Sequence, residues 1–334
     1  MLHLGYKLSS EEFGPTDLVR QAIRAEAAGF DFALISDHFH PWSDRQGQSP
    51  FVWAALGGIA AATERLVVGT GVTCPIIRTH PAIVAHAAAT VAAMMPGRFF
   101  LGVGTGENLN EHVTGAKWPP VDVRREMLEE AIGVVRRLWR GDVESHRGPH
   151  YTVEAARLYT LPPTPPPIMV AASGPKSARL AGRIGDGFVT TDPDPALLRT
   201  FRRSGGRGKP SFVELTVCWA KSERAARRTA HEVWALAALE GSLFTEIAQP
   251  AQFEDAFKPI TEAQVAEAVV CGPDPARHLA AIRRASRAGY DHVCVHQVGP
   301  DQEGFVRFYE SQILPRLRRR RAAARPPVAR RRAA

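Results

Sequence analysis

The densest run of reactive side chains is Ser-Asp-His-Phe-His-Pro-Trp, positions 36–42, which sets an acid, two histidines and a tryptophan within seven residues. An imidazole of ordinary pKa, ~6.5, exchanges protons near neutrality, so His38 is a candidate to take a proton from a substrate hydroxyl or return one. The same residue types would also make a structural histidine capped by Asp37. His38 and His40 are two apart and would share a face of an extended segment, as metal ligands can. No H-E-x-x-H pattern or comparable third ligand accompanies them, so a metal site is not expected.

A second run, LGVGTGENLNE at 101–111, places glycines at 102, 104 and 106. A dinucleotide fingerprint would need glycine at 107, where the chain has Glu107, so a Rossmann site is excluded. Glycines this close let backbone approach a flat ring, and Glu107 would face the same space as His38. To deliver a proton near neutral pH a glutamate must rise from ~4.3 toward ~7, about 3.7 kcal/mol, and only dry surroundings supply that. A helix-capping acid is the alternative use of Glu107. In AASGPKSARLAG, 171–182, small residues precede a helix start with Lys176 in its first turn, a place where free amides suit a phosphate. It is not a Walker A loop, since Pro175 separates Gly174 from Lys176, and an ordinary capped helix would look the same. GTGVTCP, 69–75, carries glycines able to form a bulge beneath a cofactor.

These segments need a scaffold that brings them to one place. Short apolar, β-branched runs separated by helical stretches occur at 2–6, 32–36, 66–72, 99–103, 168–172, 187–190, 212–219 and 292–298, eight in all. Helix-to-strand junctions repeat a signature, EAAGFDFALIS, RLAGRIGDGFV and SRAGYDHVCVH, in which glycine would supply a left-handed C-cap. The pattern predicts an α/β (β/α)8 TIM barrel, with a doubly wound open sheet as the competitor. Two connections are too long for plain helical returns, 105–167 after strand 4 and 220–291 between strands 7 and 8, and are read as insertions at the C-terminal mouth. The proline run at 161–167 excludes helix and reads as an extended entry to strand 5. SDHFHPW then falls on the catalytic rim, at the C-terminal end of strand 2.

The chain has 334 residues, 45% hydrophobic and 23% charged, an ordinary globular composition that excludes whole-chain disorder. Its formal charge of +8 hints at nucleic acid, but nine arginines and no acid lie from Arg316 onward, leaving the rest close to neutral. Residues 1–315 are read as one barrel domain, and 316–334 as a basic Arg/Ala/Pro-rich tail expected to be disordered, with no nucleic-acid role. Cys74, Cys218, Cys271 and Cys294 are far apart and sit mostly in apolar runs, so they read as reduced core thiols. With no leader pattern and no long apolar run, the expectation is a cytoplasmic protein without a membrane partner.

Taken in order, LGYK near the N-terminus, SDHFxPW, FLGVGTGExLNE followed by TG and WP, the 171–182 segment, GDGF at 185–188 and the DP helix start at Asp274 resemble the deazaflavin (coenzyme F420)-dependent oxidoreductases of the glucose-6-phosphate dehydrogenase type, within the luciferase-like barrel superfamily. The resemblance runs from Leu2 to about Leu317. It implies F420 as cofactor, contacted at Asp37, Cys74, Thr105, Gly106, Asn110, Ser173, Gly174 and Lys176, with a non-prolyl cis peptide between Gly71 and Val72 under the ring. It assigns catalysis to His38, Glu107 and Trp42, leaving open which of His38 and Glu107 is the base, and a substrate contact to Thr191. A homodimer is also implied.

The chain departs from that family in informative places. Cys74 stands where threonine is frequent, and Lys176 where a small residue is usual. Three cations that hold phosphate in the sugar-phosphate enzymes align with Asp194, Ala248 and Ala268, so all three charges are gone. Glucose 6-phosphate is therefore not the expected substrate unless Arg199, Arg202 or Lys258 compensates. A less anionic alcohol or carbonyl partner is expected. The alternatives are a reductase running on the reduced deazaflavin in a biosynthetic pathway, and an FMN-dependent luciferase-like monooxygenase.

Overall fold

The computed structural model describes residues 2–239, 241 and 243–323. Eight parallel strands, His3–Leu8, Phe32–Ile35, Val67–Thr70, Phe99–Val103, Ile168–Ala171, Gly187–Thr190, Ser211–Cys218 and His292–Gln297, pair in chain order. The eighth pairs back onto the first, His3 opposite His292, which closes the barrel. Each strand lies within two residues of an expected run, because β-branched and aromatic runs buried on both faces have no other stable place.

Alternation along the strands divides the interior into levels. At the N-terminal end Phe32, Phe100 and Phe212 plug the barrel, with the His292 ring stacked on Phe212 at 4.2 Å. Leu34, Met169, Val189 and Cys294 are buried with them. At the C-terminal end the inward positions change character to Lys7, Glu214 and His296, all of which are buried or nearly so. Outside, helices such as Pro15–Ala28 lay Leu18, Ala22 and Ala25 on the sheet at helical spacing.

Gly29 and Gly289 close their helices in the left-handed region, φ +88° and +106°, as expected. The third junction differs. Gly185 is extended, φ −83°, and the glycine that matters there is Gly182, where a Cβ would lie 2.6 Å from the Phe201 carbonyl oxygen. Close helix packing, not a C-cap, demands glycine at that junction.

The long connection after the fourth strand holds the short helix Asn108–Glu111, the helix Val121–Leu138 and an antiparallel hairpin, Glu144–Arg147 with Thr152–Ala156. Among the described residues, the connection between the seventh and eighth strands contains Glu223–Trp234, four shorter helical segments, the two-residue strand Val270–Cys271 and the return helix Pro275–Ala288. The basic segment does not fray at Arg316: the final helix continues from Leu314 to Ala323, and Arg318 donates to the Gly29 carbonyl at 2.7 Å. Residues 324–334 lie outside the described residues.

Candidate active site

The second strand ends at Ile35, so the 36–42 segment turns across the barrel mouth. His38 is nearly buried there, with its Nε2 3.3 Å from a Glu11 carboxylate oxygen. Glu11 is itself buried and takes hydrogen bonds from Ser9 and Ser36. Burial alone would raise the Glu11 carboxyl, but the charges of His38 and Lys7 and the Ser36 hydroxyl hold it below the usual value. A carboxylate only accepts, so a hydrogen on Nε2 is the arrangement that suits this pair. Its Nδ1 lies 3.1 Å from the His40 carbonyl oxygen and 3.2 Å from the Asn110 amide nitrogen. One neighbour accepts and the other donates. The imidazolium form donates to His40, the neutral form accepts from Asn110, and both protonation states find a partner at Nδ1.

Trp42 packs edge-on to His38 at 5.0 Å and to Phe253 at 5.2 Å. Glu107 stands at the N-cap position of Asn108–Glu111 without capping it; its carboxylate accepts from Asn110 at 3.2 Å. Asn110 also accepts from the backbone N–H of Phe39 and of His40. This one amide therefore joins His38, Glu107 and the turn that carries them. The structure brings all three expected catalytic residues to one mouth.

The expected cofactor contacts divide into two groups. Gly71 and Val72 are joined by a cis peptide bond at the end of the third strand. A Cβ added at Gly104 would meet Val72 at 2.8 Å, and one at Gly106, φ +71°, would meet the Cys74 sulfur at 2.4 Å. Only bare backbone passes there, and the mouth beside it is the kind of surface a flat ring can approach. This geometry fits the deazaflavin. Thr105 lies in the same loop, partly exposed. Asp37, by contrast, already accepts from Thr73 at 2.7 Å and pairs with Arg78 at 2.8 Å. Cys74 is buried behind Gly106, its thiol pushed well up by burial and then by Glu111 and Glu107. At the end of the fifth strand, Ser173 is exposed and Gly174 opens helix Pro175–Ile184 with no side-chain cap. Lys176 pairs with Asp122 at 3.0 Å, and Thr191 is exposed beyond the sixth strand.

The mouth also contains groups that the sequence reading passed over. Arg78 bridges Asp37 and Glu111, and its backbone N–H donates to Glu111 at 2.8 Å. Glu111 is wholly buried, and burial pushes its carboxyl up to about 7. The dry carboxyl sought at position 107 is thus found at position 111. Below, Lys7 pairs with Glu214 at 2.9 Å, and Glu214 lies 3.2 Å from His296. His296 is raised to about 9 because its Glu12 and Glu214 neighbours outweigh burial. The signal for these was a charged residue inside an apolar strand run, Lys7 in LGYKL, Glu214 in FVELTV and His296 in VCVHQ. Among the described residues no cluster of three or more ligating side chains is placed to hold a metal.

The chain matches the luciferase-like monooxygenase family over residues 2–292. It is 38% identical to a protein of Nakamurella multipartita named F420-dependent glucose-6-phosphate dehydrogenase, over 95% of this chain and 97% of the relative. Among solved structures, an F420-dependent secondary alcohol dehydrogenase in complex with an F420–acetone adduct superposes with a TM-score of 0.87 at 32% identity, covering 93% of this chain and 98% of that one. A coenzyme F420-dependent tetrahydromethanopterin reductase from Methanopyrus kandleri shares the fold, TM-score 0.78 at 19% identity, over 94% of this chain and 99% of the other. The barrel, its mouth and these likenesses place the chain in the luciferase-like family and, within it, among the F420-dependent oxidoreductases.

Proposed function

We propose that this protein moves a hydride between coenzyme F420 and an alcohol or carbonyl compound that carries apolar substituents and no phosphate. When bound, the deazaflavin supplies the hydride acceptor or donor. Its ring would lie against Gly71–Val72 and the 104–106 loop, with its phosphate toward Ser173, Gly174 and Lys176. His38, supported on Glu11, takes the hydroxyl proton of the substrate or returns it, and Asn110 and the His40 carbonyl serve its two protonation states. Trp42 covers the reacting groups and excludes water. Glu107, held by Asn110 beside the 104–106 loop, would supply or take the proton at the cofactor side of the mouth. Thr191 contributes a hydroxyl at the substrate end.

The observation that carries the substrate assignment is the fate of the phosphate-holding positions. Asp194 is an N-cap, accepting from Ala196 and Leu197, and Ala248 and Ala268 carry no charge. None of the possible replacements takes over. Arg202 donates to the Gly289 carbonyl at 2.7 Å, beside the start of the eighth strand and so at the end of the barrel opposite the mouth. Arg199 is in the last turn of the same descending helix, and Lys258 pairs with Asp255. In their place the mouth carries Trp42, Leu109 and Phe253, with Trp234, Phe244 and Ile247 packed on them. Apolar walls with a few polar groups select neutral ligands.

The test is F420 reduction, followed by loss of its visible absorbance, with glucose 6-phosphate and with a series of secondary alcohols of increasing apolar size. Faster turnover of the alcohols is expected, and preference for glucose 6-phosphate would sink the assignment. The same reading takes residues 1–315 as one catalytic unit working as a cytoplasmic homodimer. No described helix is long and apolar enough to cross a membrane.

A further inference from the structure

Four charged side chains lie inside the barrel mouth where a hydrophobic plug would be the simpler solution. Lys7 projects inward from the first strand, and its ammonium donates to Glu214 at 2.9 Å and to the Gly71 carbonyl at 2.9 Å. Glu214, from the seventh strand, also faces His296 of the eighth, and His296 faces Glu12 at 3.8 Å. The Trp234 ring closes over His296 at 4.5 Å. Burying such groups is costly unless each answers another, and replacing a whole buried network with apolar residues is frequently neutral or stabilising. Stability alone therefore gives a weak reason for it. Geometry offers a better one: Lys7 touches the residue that begins the cofactor seat, and its charge also acts on the carboxylate behind His38.

We propose that Lys7 is a positioning residue that holds the Gly71 carbonyl, and with it the Gly71–Val72 seat, in register with the Glu11–His38 pair. The inference rests on the F420 reading above. The groups facing the ammonium are Glu214 from the seventh strand, Glu11 from the loop after the first, and Cys294 and His296 from the eighth. Burial would lower the ammonium, but Glu214 and then Glu11 outweigh it, so Lys7 stays charged through the working range. Removing that charge raises the Glu11 carboxyl, because Lys7 is one of the groups holding it down. Removing the donor frees the Gly71 carbonyl. The two roles are separable.

The experiment compares wild type, Lys7→Arg and the pair variant Lys7→Met/Glu214→Met, which deletes the ion pair as a unit and leaves His296 facing Glu12. Oxidised F420 affinity is read by fluorescence titration, the pH profile of kcat/KM by alcohol oxidation, and folding by circular dichroism and thermal melting. Lys7→Arg keeps the charge but moves the donor, since a planar guanidinium cannot occupy the ammonium's point. Its affinity should fall about tenfold, the effect of losing one charge-assisted hydrogen bond, with the acid limb unmoved. The folded pair variant should show the same loss and an acid limb displaced to higher pH. Wild-type affinity and an unmoved acid limb in a folded pair variant would overturn the proposal. If the pair variant fails to fold, Lys7→Arg decides alone: weakened binding at an unchanged melting temperature supports the inference, and unchanged binding overturns it. Failure of wild type itself to bind F420 would strike the underlying reading, a distinguishable result.

Discussion

Glu111 makes the fold's stability depend on pH in a direction opposite to the usual carboxylate. It is wholly buried at the mouth, and burial pushes its carboxyl from 4.5 up to about 7 against the pull of the Arg78 N–H and guanidinium. In the unfolded chain the same group returns to the ordinary value. Between the two values the folded state therefore holds more protons. The stability it contributes is fully present below about pH 4.5 and is lost as pH rises toward and past 7. A gap of about 2.5 pH units is worth about 3 kcal/mol, a large fraction of a typical domain's ~5–15 kcal/mol.

Glu111→Gln is nearly isosteric, keeps an oxygen for the Arg78 N–H and cannot ionise. Urea unfolding of both proteins from pH 4.5 to 8.5 should show the variant gaining about 3 kcal/mol on wild type across that span. His296, raised to about 9, contributes a separate loss above the ordinary histidine range, but equally in both proteins, so it cancels in the difference. A stability difference that stays constant with pH would refute the reasoning, because it would mean that Glu111 ionises alike in the folded and unfolded chains.

Glu11→Gln keeps a hydrogen-bonding group beside His38 but removes its charge, so kcat/KM should fall about 10- to 100-fold while F420 affinity changes little; steady-state kinetics with a fluorescence titration decide it. Gly106→Ala puts a methyl 2.4 Å from the buried Cys74 sulfur at φ +71°. Strain and overlap together should cost about 2–4 kcal/mol in thermal or urea unfolding and weaken F420 binding, and a variant as stable as wild type would show that the loop gives way freely.

The barrel was legible because eight buried parallel strands have a pattern that few folds share, and glycine junctions such as Gly29 and Gly289 repeat it. That His38, Trp42, Glu107 and Asn110 would meet at one rim was legible as well, because they stand in short local motifs next to strand ends. What joins them was not. Asn110 bonds His38 and Glu107 at once only because strands 2 and 4 end at the same height on one rim, and Glu11 reaches His38 from strand 1. Sequence spacing carries no information about such cross-strand registry. Lys7, Glu214 and His296 are the middle case. Each was visible as a charge in an apolar run, but their mutual pairing requires the closed barrel, which brings positions 7, 214 and 296 onto one level. Glu111 was hidden for a different reason: its neighbour Glu107 is the more exposed of two acids in one motif, and only burial distinguishes the one that responds to a dry environment.

The two ends of the proposed site differ in how freely their residues can be exchanged. At the end proposed for the cofactor the seat is made of backbone and small residues: a Cβ at Gly104 would collide with Val72 and one at Gly106 with Cys74, while one at Gly71 would press on Leu34. That end resists change. At the end proposed for the substrate the walls come from the long insertion between the seventh and eighth strands and from the loop after the sixth, where Asp194 serves as a helix cap and Phe253 and Trp234 pack on or near Trp42. Loop side chains can be exchanged without disturbing the barrel. On the proposed reading, the carboxylate of Asp194 and the aromatic walls at the mouth both act against a phosphorylated ligand. On the same reading, that combination sets which alcohol is accepted without touching the His38–Glu11 pair or the seat.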